Sequence, residues 1–368
     1  MARTTRTTRT PRLTRRSAFW LWAVAFLIGF VLTGLDIGVN AAVFPDGALV
    51  GLLVLLPVLL AGYWFFRRLH PIRSHPRGYA LLMIGWGAFS AGGIAGIPNG
   101  SLLNIVKKLA GADLADRWGI AIAAPIDEET LKLIGVVLLA LMAPQAIRGP
   151  LDGFAYGALI GFGFAVLEDY SYVFITITQK GAVQAGSAAV TSLVGRVALD
   201  LWFTHWAFTA VSGAGLGYLI GNRERPLAWR LPVAVGAFLF AVIMHAWWDS
   251  PFLAGGGWEV LRRSVILISA VAVYRVARRQ YLRCFRNAAV AEVSRGVLTE
   301  TETEILTHRR RRHRELRSTP HGAPRDLLIE LRTAELNLID DDLHDHEAGR
   351  ALRSEIGRLR SRLEAARS

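Results

Sequence analysis

Again and again this chain runs through about 20 largely apolar residues, the length that carries an α-helix across about 30 Å of hydrocarbon at 1.5 Å per residue. Eight such windows can be drawn, approximately at 18–35, 48–66, 79–97, 119–142, 152–176, 190–220, 231–249 and 260–277. A soluble domain has no core large enough to hide them, and 52% hydrophobic residues with a mean hydropathy of +0.35 agree with a lipid environment. Backbone polar groups in lipid have to bond within their own segment. The expected fold class is therefore all-α: a polytopic membrane protein of about eight transmembrane helices.

Lys and Arg beside a span are retained on the cytoplasmic side, so their placement sets the topology. Basic clusters precede the first window ("MARTTRTTRTPRLTRR"), separate the second from the third ("RRLHPIRSHPRG") and the sixth from the seventh ("NRERPLAWR"), and follow the eighth ("RVARRQYLRCFR"). Arg148 lies between the fourth and fifth windows, and the alternate loops carry almost no positive charge except the mixed segment "SLLNIVKKLAGADLADRWG". Both termini are predicted to be cytoplasmic, in a multi-pass protein of the cell membrane. The first apolar window exceeds the core of a cleaved signal peptide and reads as an anchor. The net charge of +13 comes largely from these flanks and argues for an anionic membrane surface, with no specific nucleic-acid partner. The single Cys284 excludes an internal disulfide. Three regions follow: a basic N-terminus at 1–17, a transmembrane domain at 18–278, and a charged helical tail at 279–368 on the cytoplasmic side.

In the tail, Leu352, Ile356, Leu359 and Leu363 recur at helical spacing, as in one strand of a helical hairpin or coiled coil. A regulator or a second copy could dock there. The run Arg309 to Arg312 reads as a solvated basic face, and "DDDLHDHE" as an exposed acidic helix start that lacks the spacing of a metal site.

Ionisable groups within spans are costly and face a protein interior or a water-filled cavity. The fourth window carries Asp127, Glu128, Glu129 and Lys132; the fifth Glu168 and Asp169; the sixth Arg196, Asp200 and His205; the seventh His245 and Asp249. From the helical rise, Glu128 and Glu129 lie about 9 residues below the outer surface, Glu168 about 8 and His245 about 5, with His205 nearer the midplane. Three glutamates and two histidines from four helices thus fall in one slab of the outer half of the bilayer. Lys132 is placed to neutralise Glu128 or Glu129 from one turn away. Asp249, one turn after His245, suits a carboxylate that orients a working imidazole. Phe164, Glu168 and Tyr172 make one helix face, and Arg196 with Asp200 reads as a structural i,i+4 ion pair. Carboxylates and imidazoles in a membrane cavity suit hydrolysis: a glutamate takes a proton from water, with or without a metal such as zinc, and histidines bind the ion or stabilise the oxyanion.

The ordered set "EETLK", "FAVLE", His205 and "HAWWD" resembles the EExxK, FxxxE, H and HxxxD motifs of the PrsW intramembrane proteases, distant relatives of the CAAX prenyl proteases, over roughly residues 80–250. The resemblance implies active-site positions at Glu128, Glu129, Glu168, His205 and His245, supported by Lys132, Asp249, Tyr172 and Phe164. Metal ligands would come from Glu168, His205 and His245. It also implies membrane-anchored protein substrates such as an anti-sigma factor, cleaved near the extracytoplasmic side. The zinc-dependent and metal-free, glutamate-activated mechanisms both stay open. A proton-coupled transporter is the alternative from another class, but the inner half of the bilayer lacks the ionisable path it needs. A non-catalytic scaffold would not need every motif position.

Overall fold

The computed structural model describes residues 13, 16–182, 184–342 and 346–367. The N-terminal basic segment lies largely outside the described residues, as do residues 343–345 of the acidic run. Among the described residues there is no strand, and the chain divides into two units: 1–69 with 75–275, and 70–74 with 276–368.

The first unit contains helices α1 (Ser17–Val43), α2 (Pro45–Phe66), α3 (Arg77–Gly85), α4 (Gly92–Ala110), α5 (Ala112–Met142), α6 (Pro150–Gln179), α7 (Ala185–Gly195), α8 (His205–Gly221) and α9 (Leu227–Asp249), with the start of α10 (Gly257–Ser294). A π-helical turn at Trp86–Ala91 joins α3 to α4 without a break, so these make one span. Among the described residues, five helices are long and apolar enough to cross a membrane: α1, α2, the α3–α4 rod, α6 and α9. The apolar surface faces outward on α1, α2 and α9, where Leu27, Leu53, Trp64, Trp229 and Ile243 are all more than half exposed. Such a surface is stable only against hydrocarbon. This is a multi-pass membrane protein.

At the centre stands α6, almost wholly buried. Its Gly153, Gly157 and Gly161 face the backbone of α8 at Gly213, Thr209 and His205, so closely that a Cβ at any of them would collide with a carbonyl. Gly213 and Gly217 answer from α8. Small residues every fourth position are how helices approach in lipid, where burial of apolar surface supplies little drive. This packing sets Glu168, two turns after Gly161, beside the first turn of α8.

The window drawn at 190–220 is not one helix. After α7 come a π-helical turn at Arg196–Asp200 and an irregular stretch, and a new helix begins at His205. The expected Arg196–Asp200 pair is replaced by longer-range ones: Arg196 pairs with Glu168 (2.8 Å) and Asp169 (2.6 Å), and Asp200 with Arg263 (2.9 Å). A π turn places i+4 off the shared face, and partners on α6 and α10 take over.

The second unit is built by itself from the end of α10 and from α11 (Glu300–Thr307), α12 (Arg309–Ser318), α13 (Ala323–Asp342) and α14 (His346–Arg367). Leu328, Leu331 and Leu338 of α13 pack with Ile356, Leu359 and Leu363 of α14. Arg332 bonds Glu315 and Glu335, each at 2.6 Å, and a capping box between Thr299 and Glu302 starts α11. The basic run is only partly a solvated face. Arg309 donates to the Ile72 carbonyl and to Ser74 Oγ, and Arg312 also reaches the Ile72 carbonyl.

Candidate active site

Helix α5 brings its charged turn to the interior because the same face carries Ala121, Ala124, Gly135 and Leu139, all buried. Gly135 lets the Trp86 indole lie against the α5 backbone, and Trp86 Nε1 donates to the Leu131 carbonyl at 2.8 Å. Buried between these contacts is Lys132, 0% exposed. Its three N–H groups meet three acceptors: Glu128 Oε2 (3.1 Å), Glu129 Oε1 (3.0 Å) and His205 Nδ1 (3.1 Å). Its ammonium also lies 3.7 Å from the centre of the Phe164 ring. The lysine thus pairs with both carboxylates, its one charge offsetting part of theirs, and Phe164 covers it.

With Nδ1 accepting, the proton of His205 sits on Nε2 and is donated to Glu168 Oε2 at 2.9 Å. Glu168 is held again by Arg196, whose guanidinium stacks 3.7 Å above Tyr172. His245 of α9 donates Nδ1–H to Glu129 Oε1 at 3.1 Å, and Thr209 donates to the other oxygen of Glu129. Glu129 is fully buried and tied to three partners. The carboxylate orienting His245 is therefore Glu129. Asp249, expected in that role, stands near the other nitrogen, 3.4 Å from Nε2, with Glu128 Oε2 at 3.8 Å from the same atom.

One cavity of about 310 Å³ opens at this cluster. Glu128, Glu168, Tyr172, His245 and Asp249 line its polar side with Asn99 of α4, and Leu103, Ile120 and Ala123 its apolar side. Glu129 and Lys132 lie behind that wall. The nine positions that the resemblance implied, Glu128, Glu129, Lys132, Phe164, Glu168, Tyr172, His205, His245 and Asp249, gather here. Among the described residues, the donors close enough together to hold a metal ion are those of Glu128, His205 and His245, within 4.8 Å of one another. This set has Glu128 where the resemblance implied Glu168.

Three contributors escaped the sequence reading. Asn99 donates to Glu128 Oε1 at 3.2 Å from just beyond the window drawn at 79–97. Thr209 was visible as a polar residue one turn after His205. The carbonyls at the end of α9 are clamped by Arg262, which donates to Ser250 (3.0 Å) and Trp248 (2.7 Å).

A lipid-facing helical bundle with a buried cluster of carboxylates and imidazoles around a cavity defines a class: polytopic membrane proteins equipped for hydrolytic chemistry. The PrsW family intramembrane metalloprotease model matches residues 75–277, which include all nine positions, and the chain belongs to this family of intramembrane proteases. No curated protein and no solved structure matches the chain.

Proposed function

We propose that the chain is an endopeptidase that hydrolyses peptide bonds of membrane-anchored proteins, an anti-sigma factor being the substrate class, within the outer half of the bilayer. The observation that carries this reading is a single cavity onto which Glu128, Glu168, His245 and Asp249 all open, with His205 in reach of the same point. In the proposed topology eight spans cross the membrane, both termini and the 279–368 tail are cytoplasmic, and a cytoplasmic regulator or a second copy would engage the tail.

Glu128 is the group placed to take a proton from water, because it faces the cavity while Glu129 is spent on Lys132, Thr209 and His245. As the water attacks the scissile carbonyl carbon, His245 Nε2 lies 3.8 Å from Glu128 and can receive that proton, with Asp249 stabilising the imidazolium. The C–N bond then breaks and the proton passes to the leaving amine. Glu168, itself held by Arg196, accepts from His205 and fixes its ring in one tautomer beside the cavity wall.

Glu128, His205 and His245 are the residues that would hold a divalent ion such as zinc, His205 only by giving up its bond to Lys132 or Glu168; when bound, the ion would polarise the water and the scissile carbonyl. A metal-free reading is favoured by Lys132, whose ammonium already supplies positive charge at 3.1 Å from both Glu128 and His205.

The test is metal analysis of the purified full chain beside Glu128→Gln and His245→Ala, with cleavage of a single-span substrate measured with and without chelator. Stoichiometric zinc that is lost in His245→Ala, with chelator-sensitive cleavage, supports the metalloprotease. Cleavage by metal-free protein supports glutamate-activated water. Cleavage by Glu128→Gln at the unaltered rate would sink both.

A further inference from the structure

Hydrolysis inside a bilayer sets a problem that the carboxylates and histidines do not solve. A substrate span is helical, and its peptide bonds become accessible only when a turn unwinds and frees backbone N–H groups. Away from bulk water each freed N–H needs an acceptor. The charged acceptors at the cavity are largely engaged: Glu128 by Lys132 and Asn99, Glu168 by His205 and Arg196.

Asn99 differs from them. Its Nδ2 donates to Glu128 Oε1 at 3.2 Å, the orientation a carboxylate demands because it can only accept. That bond turns Oδ1 away from Glu128, and Oδ1 is buried with no hydrogen-bond partner. Among the described residues lining the cavity, it is the one buried polar side-chain atom left unmet. A buried acceptor without a donor is a standing cost, removed when a donor arrives. Asn99 lines the cavity together with Gly100, Leu103, Ile120 and Ala123, an apolar surface against which a substrate side chain can rest.

We propose that Asn99 is a substrate-binding residue whose Oδ1 accepts a backbone N–H of the unwound substrate while its Nδ2 holds Glu128 in place beside the scissile bond. The inference rests on the proteolytic reading above. It couples recognition to catalysis through one side chain: the amide that receives the substrate also orients the base.

The experiment uses the full-length protein in proteoliposomes and an internally quenched peptide with one apolar span and a glycine-alanine stretch at its outer end. The peptide is made with every amide intact and again with single amides around the cleavage point replaced by esters, which removes one N–H at a time. At one position the ester should cost the wild-type protein about tenfold in kcat/KM, the worth of one buried hydrogen bond. Asn99→Leu should cleave the intact peptide about tenfold more slowly and lose nothing further on that ester. Asn99→Asp keeps an acceptor and should keep the ester penalty while losing the Nδ2 donor. Asn99→Ala provides the same comparison if the leucine variant fails to fold. Equal ester penalties in wild type and Asn99→Leu at every position, or wild-type kinetics in Asn99→Leu, would overturn the assignment. A wild-type protein that cleaves no form of the peptide, or a Glu128→Gln variant that cleaves as fast as wild type, would instead remove the proteolytic reading, and the inference with it.

Discussion

Glu128 and Glu129 are neighbours in sequence and unlike in surroundings. Adjacent helical residues point about 100° apart, so one reaches the cavity and the other the packed interior between α5, α8 and α9. We expect Glu128→Gln to lower kcat on the order of 10²–10⁴-fold, the usual worth of a general base, with an unchanged thermal midpoint. Glu129→Gln should cost less, about 10–100-fold, because it acts by orienting His245; steady-state cleavage by both variants checks the order. Equal losses, or the reverse order, would move the base to Glu129. In the tail, burial of the Glu335 carboxyl outweighs the Arg332 guanidinium and pushes its pKa from 4.5 up to about 6. The folded tail then binds the proton more tightly than the unfolded chain, so this group's stabilising contribution is complete below pH 4.5 and is lost as pH rises through about 6. Glu335→Gln should flatten that part of the stability profile, measured as thermal midpoint between pH 4 and 7.

At the scale of helices, the α6–α8 pair decides where the site forms. Gly157 faces the Thr209 carbonyl, and a larger side chain there has no room. Gly157→Leu should destabilise the protein by about 1–3 kcal/mol or more through overpacking. Gly236→Leu on α9, where an added Cβ meets open space, should be tolerated. Thermal midpoints in detergent distinguish the two, and equal loss would mean that the glycines do not set the packing. The helical identity of the windows other than that at 190–220 was legible because the apolar runs are long. The break at 196–204 was not, because Arg196 and Asp200 sit at a spacing that a regular helix satisfies, while their partners are Glu168, Asp169 and Arg263, distant in sequence. Asn99 was missed for a related reason: a lone polar residue at a window's end says nothing until Glu128 is seen to accept from it.

For the whole molecule, the proposed topology puts Cys284 on the cytoplasmic side of the membrane. Cys284 is the only cysteine and is exposed, so orientation can be read without engineering. In intact cells a membrane-impermeant maleimide should leave it unlabelled, and permeabilisation should expose it. Labelling of intact cells would reverse the proposed topology. In the proposed topology Arg262 and Arg263, at the start of α10, lie on the outer side, where basic residues are scarce. Each is accounted for by partners: Arg262 by the carbonyls of Trp248 and Ser250, Arg263 by Asp200 and Glu259.

By itself the sequence determined the class of fold, because a run of about 20 apolar residues has one stable arrangement in lipid, a helix that bonds its own backbone. It also determined which residue types could do chemistry, since buried charge is too costly to keep without a partner or a task. Only the tertiary structure decided which carboxylate faces the cavity, which nitrogen of His245 is taken by Glu129, and that Lys132 stands at the junction of Glu128, Glu129 and His205. Those are matters of side-chain direction among helices brought together from distant parts of the chain, and periodicity along one helix carries no information about the rotation of its neighbours.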